Sequence, residues 1–209
     1  MKSVVYRIVR TLIWLPVKLL LRVHWQDRGN EPMPETGPYL VCANHQTALD
    51  VLFLCAVLRR QQPHFMAKAE LFKVPVLGWL VRKLGAFPVA RGKGDVGAIK
   101  HAIRLLDEGC SVGVFPQGTR CPGRELRDCN VKAGAGMIAA RTGAQVLPVY
   151  IKMKGRKWRF FRRVDVIVGK PVAFESFHYN PEASGEYARI TGEIYEQICR
   201  LDEADRCAR

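Results

Sequence analysis

Residues 39–59 read YLVCANHQTALDVLFLCAVLR. The opening YLVCAN (39–44) is a continuous apolar run, the pattern of a strand covered on both faces rather than of one with a wet side. The closing segment, Ala48–Arg59, reads as a helix. Between them His45, Gln46 and Thr47 form a short polar junction. A buried strand that passes through a tight junction into a helix is half of a βαβ unit, and such units assemble into a parallel sheet covered by helices.

Outward from this stretch the same alternation repeats. HFMAK (64–68), AFPVAR (86–91), SVGVFP (111–116), QVLPVYI (145–151) and VDVIVGKPV (164–172) read as strands, and residues 76–84, 95–108, 133–142 and 182–206 as helices. The expected fold is α/β, a mostly parallel sheet flanked by helices. Ligands of such sheets bind beyond the carboxyl ends of the strands. Asn44–His45, Arg91 and Gln117–Arg120 each follow a strand in that way. No internal repeat or low-complexity tract interrupts the pattern.

At 209 residues the chain fits one domain, and 48% hydrophobic with 25% charged residues is a globular composition that leaves no disordered region to explain. The charge is unusual. Thirty-three lysines and arginines against 19 acids give a net charge of +14, so the partner or substrate is expected to be anionic. Nucleic acid, an acidic membrane surface and a phosphorylated small molecule all satisfy that condition. The seven cysteines are odd in number and form no CxxC pair, which argues for free thiols packed as small apolar residues in a reducing cytosolic setting. Cys121, Cys129 and His101 lack the spacing of zinc ligands.

The N-terminal stretch MKSVVYRIVRTLIWLPVKLLLRV (1–23) is apolar but carries Lys2, Arg7, Arg10, Lys18 and Arg22. Charges at the centre of a spanning helix cost about 2.5–3.5 kcal/mol each, so a clean membrane span is not expected. On a helical projection Arg7, Lys18 and Arg22 share one face, while Val5, Ile8, Val9, Leu12, Leu15, Leu19 and Leu20 share the other. That is the pattern of a helix lying in the membrane interface, kinked at Pro16, with packing on its own domain as the plainer alternative. The expected organisation is a membrane-association segment over residues 1–30 and a catalytic domain over 31–209. A second basic stretch, KMKGRKWRFFRR (152–163), interleaves aromatic rings with cations. It suits membrane contact, nucleic-acid stacking or the solvated edge of a hairpin.

Two motifs carry chemistry. His45 and Asp50 stand five residues apart, which on one continuous helix would separate them by about 140°. If the helix starts near Thr47 or Ala48, His45 can fold back onto Asp50, which then fixes the imidazole tautomer and leaves the second nitrogen to accept a proton. In FPQGTR (115–120), Pro116 and Gly118 force a turn at a strand end, and Thr119 and Arg120 can face an anion. GKGDVG (92–97) has the form GxGxxG, but no acid follows about 20 residues later, so a flexible loop or an accessory anion site with Lys93 fits better than a dinucleotide fingerprint. No GxSxG nucleophile elbow is present, which favours direct attack by a substrate hydroxyl over an acyl-enzyme.

NHQTALD (44–50), GAFPVAR (85–91), FPQGTR (115–120) and VLPVYI (146–151) resemble, in order and approximate spacing, the four blocks of the glycerolipid acyltransferases, specifically the 1-acylglycerol-3-phosphate acyltransferase family. The resemblance runs from about residue 36 to 172. It implies His45 as general base with Asp50 as its partner. It also implies that Arg91, Gln117, Gly118, Thr119 and Arg120 bind the glycerol phosphate of the acceptor, and that Pro148 shapes the acyl-donor side. The family usually has Glu where Gln117 stands. The implied substrates are lysophosphatidic acid and an acyl thioester of acyl carrier protein or coenzyme A, without cofactor, metal or nucleic acid. The implied location is peripheral or monotopic on the cytoplasmic face of the membrane. Another lysophospholipid or an acyl-amino-acid lipid as acceptor, or a non-catalytic basic nucleic-acid module, are the alternative readings.

Overall fold

A computed structural model describes residues 23–27, 38–58, 63–89, 96–153, 159 and 162–207. The expected interfacial helix, Arg91, Lys93 and most of the 152–163 stretch lie outside the described residues. Seven strands form one sheet in the order β1 (Val23–Asp27), β7 (Val164–Val168), β6 (Gln145–Met153), β2 (Tyr39–Ala43), β5 (Val112–Val114), β3 (His64–Lys68), β4 (Phe87–Val89). From β6 to β4 every neighbour is parallel. Strand β7 is antiparallel to β6, and β1 is parallel to β7. The β1–β7 pair therefore runs against the rest, so the chain enters β1 at Val23 from the end of the sheet where β2, β3 and β5 finish.

Five helices complete the described fold: α1 (Asp50–Val57), α2 (Pro75–Lys83), α3 (Val96–Asp107), α4 (Gly134–Thr142) and α5 (Glu186–Cys207). The period-2 alternation of the strands sorts the core into two layers. Leu40 and Cys42 of β2, Val146 and Tyr150 of β6 and Ile167 of β7 face α3, α4 and α5. Tyr39, Val41 and Ala43, with Leu147, Val149 and Ile151 and with Val164, Val166 and Val168, face α1 through Phe53 and Leu54. Covering on both sides is why these runs carry almost no polar residues. Strand β1, VHWQD, lacks that signature because it lies at the sheet edge, where polar side chains are tolerated.

Two glycines allow close approach inside these layers. A Cβ on Gly113 of β5 would lie 2.0 Å from Cε1 of Phe65, so the Phe65 ring occupies the space over that glycine. A Cβ on Gly136 of α4 would lie 2.1 Å from the carbonyl oxygen of Tyr187 in α5. The Gly136 N–H donates to Thr191 Oγ1 at 2.8 Å, and the Thr191 hydroxyl donates to Tyr187 O at 2.8 Å, which ties the two helices at their crossing.

All seven cysteines are free, and five of them are buried. Burial pushes the Cys42 thiol far above its ordinary range and the Cys55 thiol up to about 12, so neither is reactive at neutral pH. Among the described residues no cluster of His, Cys, Asp and Glu is placed to hold a metal ion, and Cys121, Cys129 and His101 do not converge. No described helix is long and apolar enough to cross a membrane.

Gly136→Ala is expected to destabilise the fold by about 3 kcal/mol, because a backbone carbonyl cannot move aside as a side chain can; the urea midpoint should fall with its slope unchanged. Under native conditions a maleimide should label exposed Cys207 first and half-buried Cys110 more slowly, with Cys42, Cys55, Cys121, Cys129 and Cys199 labelled only on unfolding. Mass spectrometry of timed digests reads that order directly.

Candidate active site

Strand β2 ends at Ala43, and the next residue extends its pairing with a side chain. Asn44 Nδ2 donates to Ile151 O at 3.0 Å, and Asn44 Oδ1 accepts from Ile151 N–H at 2.7 Å. The loop after β2 is thereby fastened to β6. His45 comes next, and helix α1 begins only at Asp50. This late start is what lets the imidazole turn back, as one continuous helix would not.

Asp50 is fully buried and organises the junction. Its Oδ2 accepts from His45 Nδ1 at 2.8 Å, from Gln46 N–H at 2.6 Å and from Thr47 N–H at 2.9 Å. Its Oδ1 accepts from the Thr47 hydroxyl at 3.1 Å. An ionised carboxylate can only accept, so the imidazole hydrogen belongs on Nδ1 and Nε2 presents its lone pair. The ring face of His45 stacks on Phe115 at 4.0 Å and 13°, which fixes its tilt. Phe115 in turn lies 6.2 Å from Phe65. The imidazole side chain keeps 8% of its surface accessible, a small window through which one reacting group can reach it.

The segment after β5 holds the backbone of His45 from both sides. Gln117 Oε1 accepts from the His45 N–H at 2.6 Å, and the Cys121 N–H donates to the His45 carbonyl at 2.8 Å. Gln117 is only 1% exposed, so its carbonyl end positions the histidine loop instead of facing an acceptor in solution. Its Nε2 has no hydrogen-bond partner among the described residues. Gly118 adopts φ +65°, the left-handed conformation that a turn here requires and that other residues enter at a cost. Thr119 and Arg120, immediately after this turn, are exposed. The structure thus brings His45, Asp50, Gln117 and the Gly118–Arg120 loop together, while Arg91 lies outside the described residues. Pro148 is buried within β6 beside Cys42, where its ring packs against Gly169, so it lines the core and not an open surface.

Two residues of this site have roles that the sequence does not reveal. Asn44 acts through a partner 107 residues away. Lys132 lays its stem across the Gly118 turn: a Cβ on Gly118 would meet Lys132 Cδ at 2.7 Å, and the Lys132 N–H donates to Pro116 O at 2.8 Å. Its side chain is exposed, so Arg120 and Lys132 are two exposed cations on the segment whose Gln117 and Cys121 clasp His45.

Gln117→Ala should leave the His45 N–H without its acceptor and loosen the imidazole, lowering kcat about tenfold or more with little change in KM. Lys132→Ala should do the reverse, raising KM for an anionic acceptor with kcat nearly intact. Steady-state kinetics on both variants checks the pair.

The sequence pattern described as Acyltransferase matches residues 24–152. The chain is 30% identical over 190 residues to the 1-acyl-sn-glycerol-3-phosphate acyltransferase of Bacillus subtilis (strain 168), covering 90% of this chain and 93% of the relative. It is 29% identical over 197 residues to the protein of the same name from Streptococcus pneumoniae (strain ATCC BAA-255 / R6), covering 88% and 71%. Its fold is similar to the crystal structure of the 1-acyl-sn-glycerophosphate (LPA) acyltransferase PlsC from Thermotoga maritima, with a TM-score of 0.73 at 27% identity over 96% of this chain and 79% of that one. With the pattern spanning well over half of the sequence and the Bacillus subtilis relative matched nearly end to end, the chain belongs to the acyltransferase family that contains the 1-acyl-sn-glycerol-3-phosphate acyltransferases.

Proposed function

We propose that this acyltransferase moves a fatty acyl group from a thioester of acyl carrier protein or coenzyme A to the sn-2 hydroxyl of 1-acylglycerol-3-phosphate, forming phosphatidic acid. The observation that carries the reading is the His45–Asp50 pair, clasped by the same loop that presents Arg120. His45 Nε2 takes the hydroxyl proton as the oxygen attacks the thioester carbonyl. A C–O bond forms, the C–S bond breaks, and the imidazolium returns the proton to the departing thiolate. Asp50 stabilises that imidazolium while it exists. Arg120 and Lys132, with Arg91 from the second block, hold the phosphate beside the reacting hydroxyl. The thioester supplies the activation, so the reaction calls for no metal or cofactor.

The acceptor is a lipid, which bears on where the enzyme works. Drawing an acyl chain out of a bilayer costs about 0.8 kcal/mol per methylene, so a site held at the membrane surface avoids a large penalty. The amphipathic pattern of residues 1–23 and the net charge of +14 support peripheral or monotopic attachment to an acidic cytoplasmic leaflet. As a member of an enzyme family, the chain is not read as a non-catalytic nucleic-acid module.

One observation favours a second acceptor class. Gln117 stands where the resembled block usually has Glu, and a relative from Pseudomonas aeruginosa named lyso-ornithine lipid O-acyltransferase is 30% identical over 142 residues, covering 68% of this chain and 53% of that one. An acyl-amino-acid acceptor has no phosphate monoester, so the exposed cations would then face at most its singly charged carboxylate.

In an acylation assay with both donors, His45→Ala should lower turnover by about 10²–10⁴ while the circular dichroism spectrum is unchanged. Arg120→Ala should raise KM for 1-acylglycerol-3-phosphate but not for lyso-ornithine lipid. Turnover that survives loss of His45, or a headgroup panel in which the phosphate acceptor is not preferred, would overturn the corresponding part of the reading.

A further inference from the structure

Five large apolar side chains stand exposed among the described residues, and four of them fall within one short segment: Leu71 (37%), Val74 (49%), Val76 (80%) and Trp79 (52%). This segment is a 3-10 turn, Ala69–Lys73, followed at once by α2. The exposure is built into the packing. Phe72, the apolar neighbour that does point inward, is buried, and the Arg82 guanidinium lies over its ring at 5.3 Å. Gly78 lets α2 lie directly on the turn, since a Cβ there would sit 2.5 Å from Phe72 O. Leu80 packs inward beside buried Leu84. What remains outside is a ridge of Val76, Trp79 and Lys83, which follow one another at helical spacing on one face.

The charge around the ridge has one sign. Lys68, Lys73, Arg82 and Lys83 flank it, and the acid among them, Glu70, is paired with Lys68 at 3.3 Å. Apolar side chains, an exposed tryptophan and a cationic rim together match the headgroup boundary of an acidic bilayer, where indole rings and basic side chains both find favourable surroundings. Four such side chains within nine residues are more than the single exposed apolar residues an ordinary surface helix carries.

Position in the fold selects the same occupant. Strand β3 runs parallel to β5, and β5 to β2, so the turn that follows Lys68 emerges at the end of the sheet that carries His45 and the Gly118–Arg120 loop. At the other side of the sheet the reversed strand β1 brings residue 23 in at this same end. The amphipathic N-terminal segment thus joins the fold at one flank of the catalytic end, and the Val76–Trp79 ridge lies at the other. Between them stand β2 and β5, whose loops form the site.

We propose that the Val76–Trp79 ridge, with exposed Leu71 and Val74 of the preceding turn, is a second membrane-contact surface that inserts into an acidic lipid monolayer, so that the catalytic end of the sheet faces the bilayer along its whole width. The inference rests on the acyl-acceptor being a lipid, as proposed above. It differs from that reading in needing no turnover to be tested.

The full-length chain and the double variant Val76→Ser/Trp79→Ser should be compared for sedimentation with vesicles of phosphatidylcholine and phosphatidylglycerol. A second measurement follows tryptophan quenching by phosphatidylcholine brominated on its acyl chains, in the parent and in Trp79→Phe. The double variant should keep its thermal midpoint and its turnover on a short-chain, water-soluble lysophosphatidic acid, and should partition into vesicles about tenfold less. Trp79→Phe should remove a distinct share of the bromine quenching. Unchanged partitioning, quenching that is the same with and without Trp79, or a variant that alters self-association and not vesicle binding would each overturn the proposal. Lack of acyl transfer by the parent chain would instead count against the catalytic reading, leaving the lipid-contact result to stand on its own measurements.

Discussion

One buried carboxylate holds this site together. Asp50 is taken wholly out of water, and a charge in that position is tolerable only if donors surround it. The donors come from the residues it must control: the imidazole of His45, the amides of Gln46 and Thr47, and the Thr47 hydroxyl. Satisfying the charge and shaping the loop are therefore one event. The base cannot be oriented differently without stranding the carboxylate, and the carboxylate cannot be stranded without unmaking the start of α1.

Around this junction the sheet supplies rigidity from strands that are distant in sequence. Asn44 pins the outgoing end of β2 to Ile151 of β6, and the loop after β5 grips His45 through Gln117 and Cys121. Three parallel strands thus meet at two adjacent residues, Asn44 and His45. Arg120 and Lys132 sit on that same loop, so the backbone that carries both cations is fixed to the His45 backbone by hydrogen bonds. That economy suits a reaction in which the hydroxyl and the phosphate belong to one small headgroup.

Much of this architecture was legible because burial on both sheet faces leaves an unambiguous mark. YLVCA, QVLPVYI and VDVIV carry almost nothing polar, and the segments between them have helical length. Strand β1 was not legible, since His24, Gln26 and Asp27 break its apolar pattern in the end strand of the sheet. In the site, the five-residue interval from His45 to Asp50 announces a bent-back imidazole once a helix start is placed between them. Asn44 stands inside the first motif and Lys132 in none, but neither announces its role, because each works through a partner that only folding brings near. Gln117 shows the opposite limit: its place in the motif was plain, but whether its amide faced outward or inward depended on three-dimensional packing against the His45 backbone.

The ring column beneath His45 ties its position to the absence of a side chain on a buried glycine. Gly113 leaves room for Phe65, Phe65 neighbours Phe115, and Phe115 carries the imidazole on its face. Catalytic poise and interior volume are consequently a single property of this enzyme. Warming that lets the benzyl groups rattle in their layer will detune the base before any strand separates, so activity should fade at temperatures where the far-ultraviolet spectrum still reports an intact molecule. A side chain placed at residue 113 would displace Phe65 first and reach the imidazole only through Phe115.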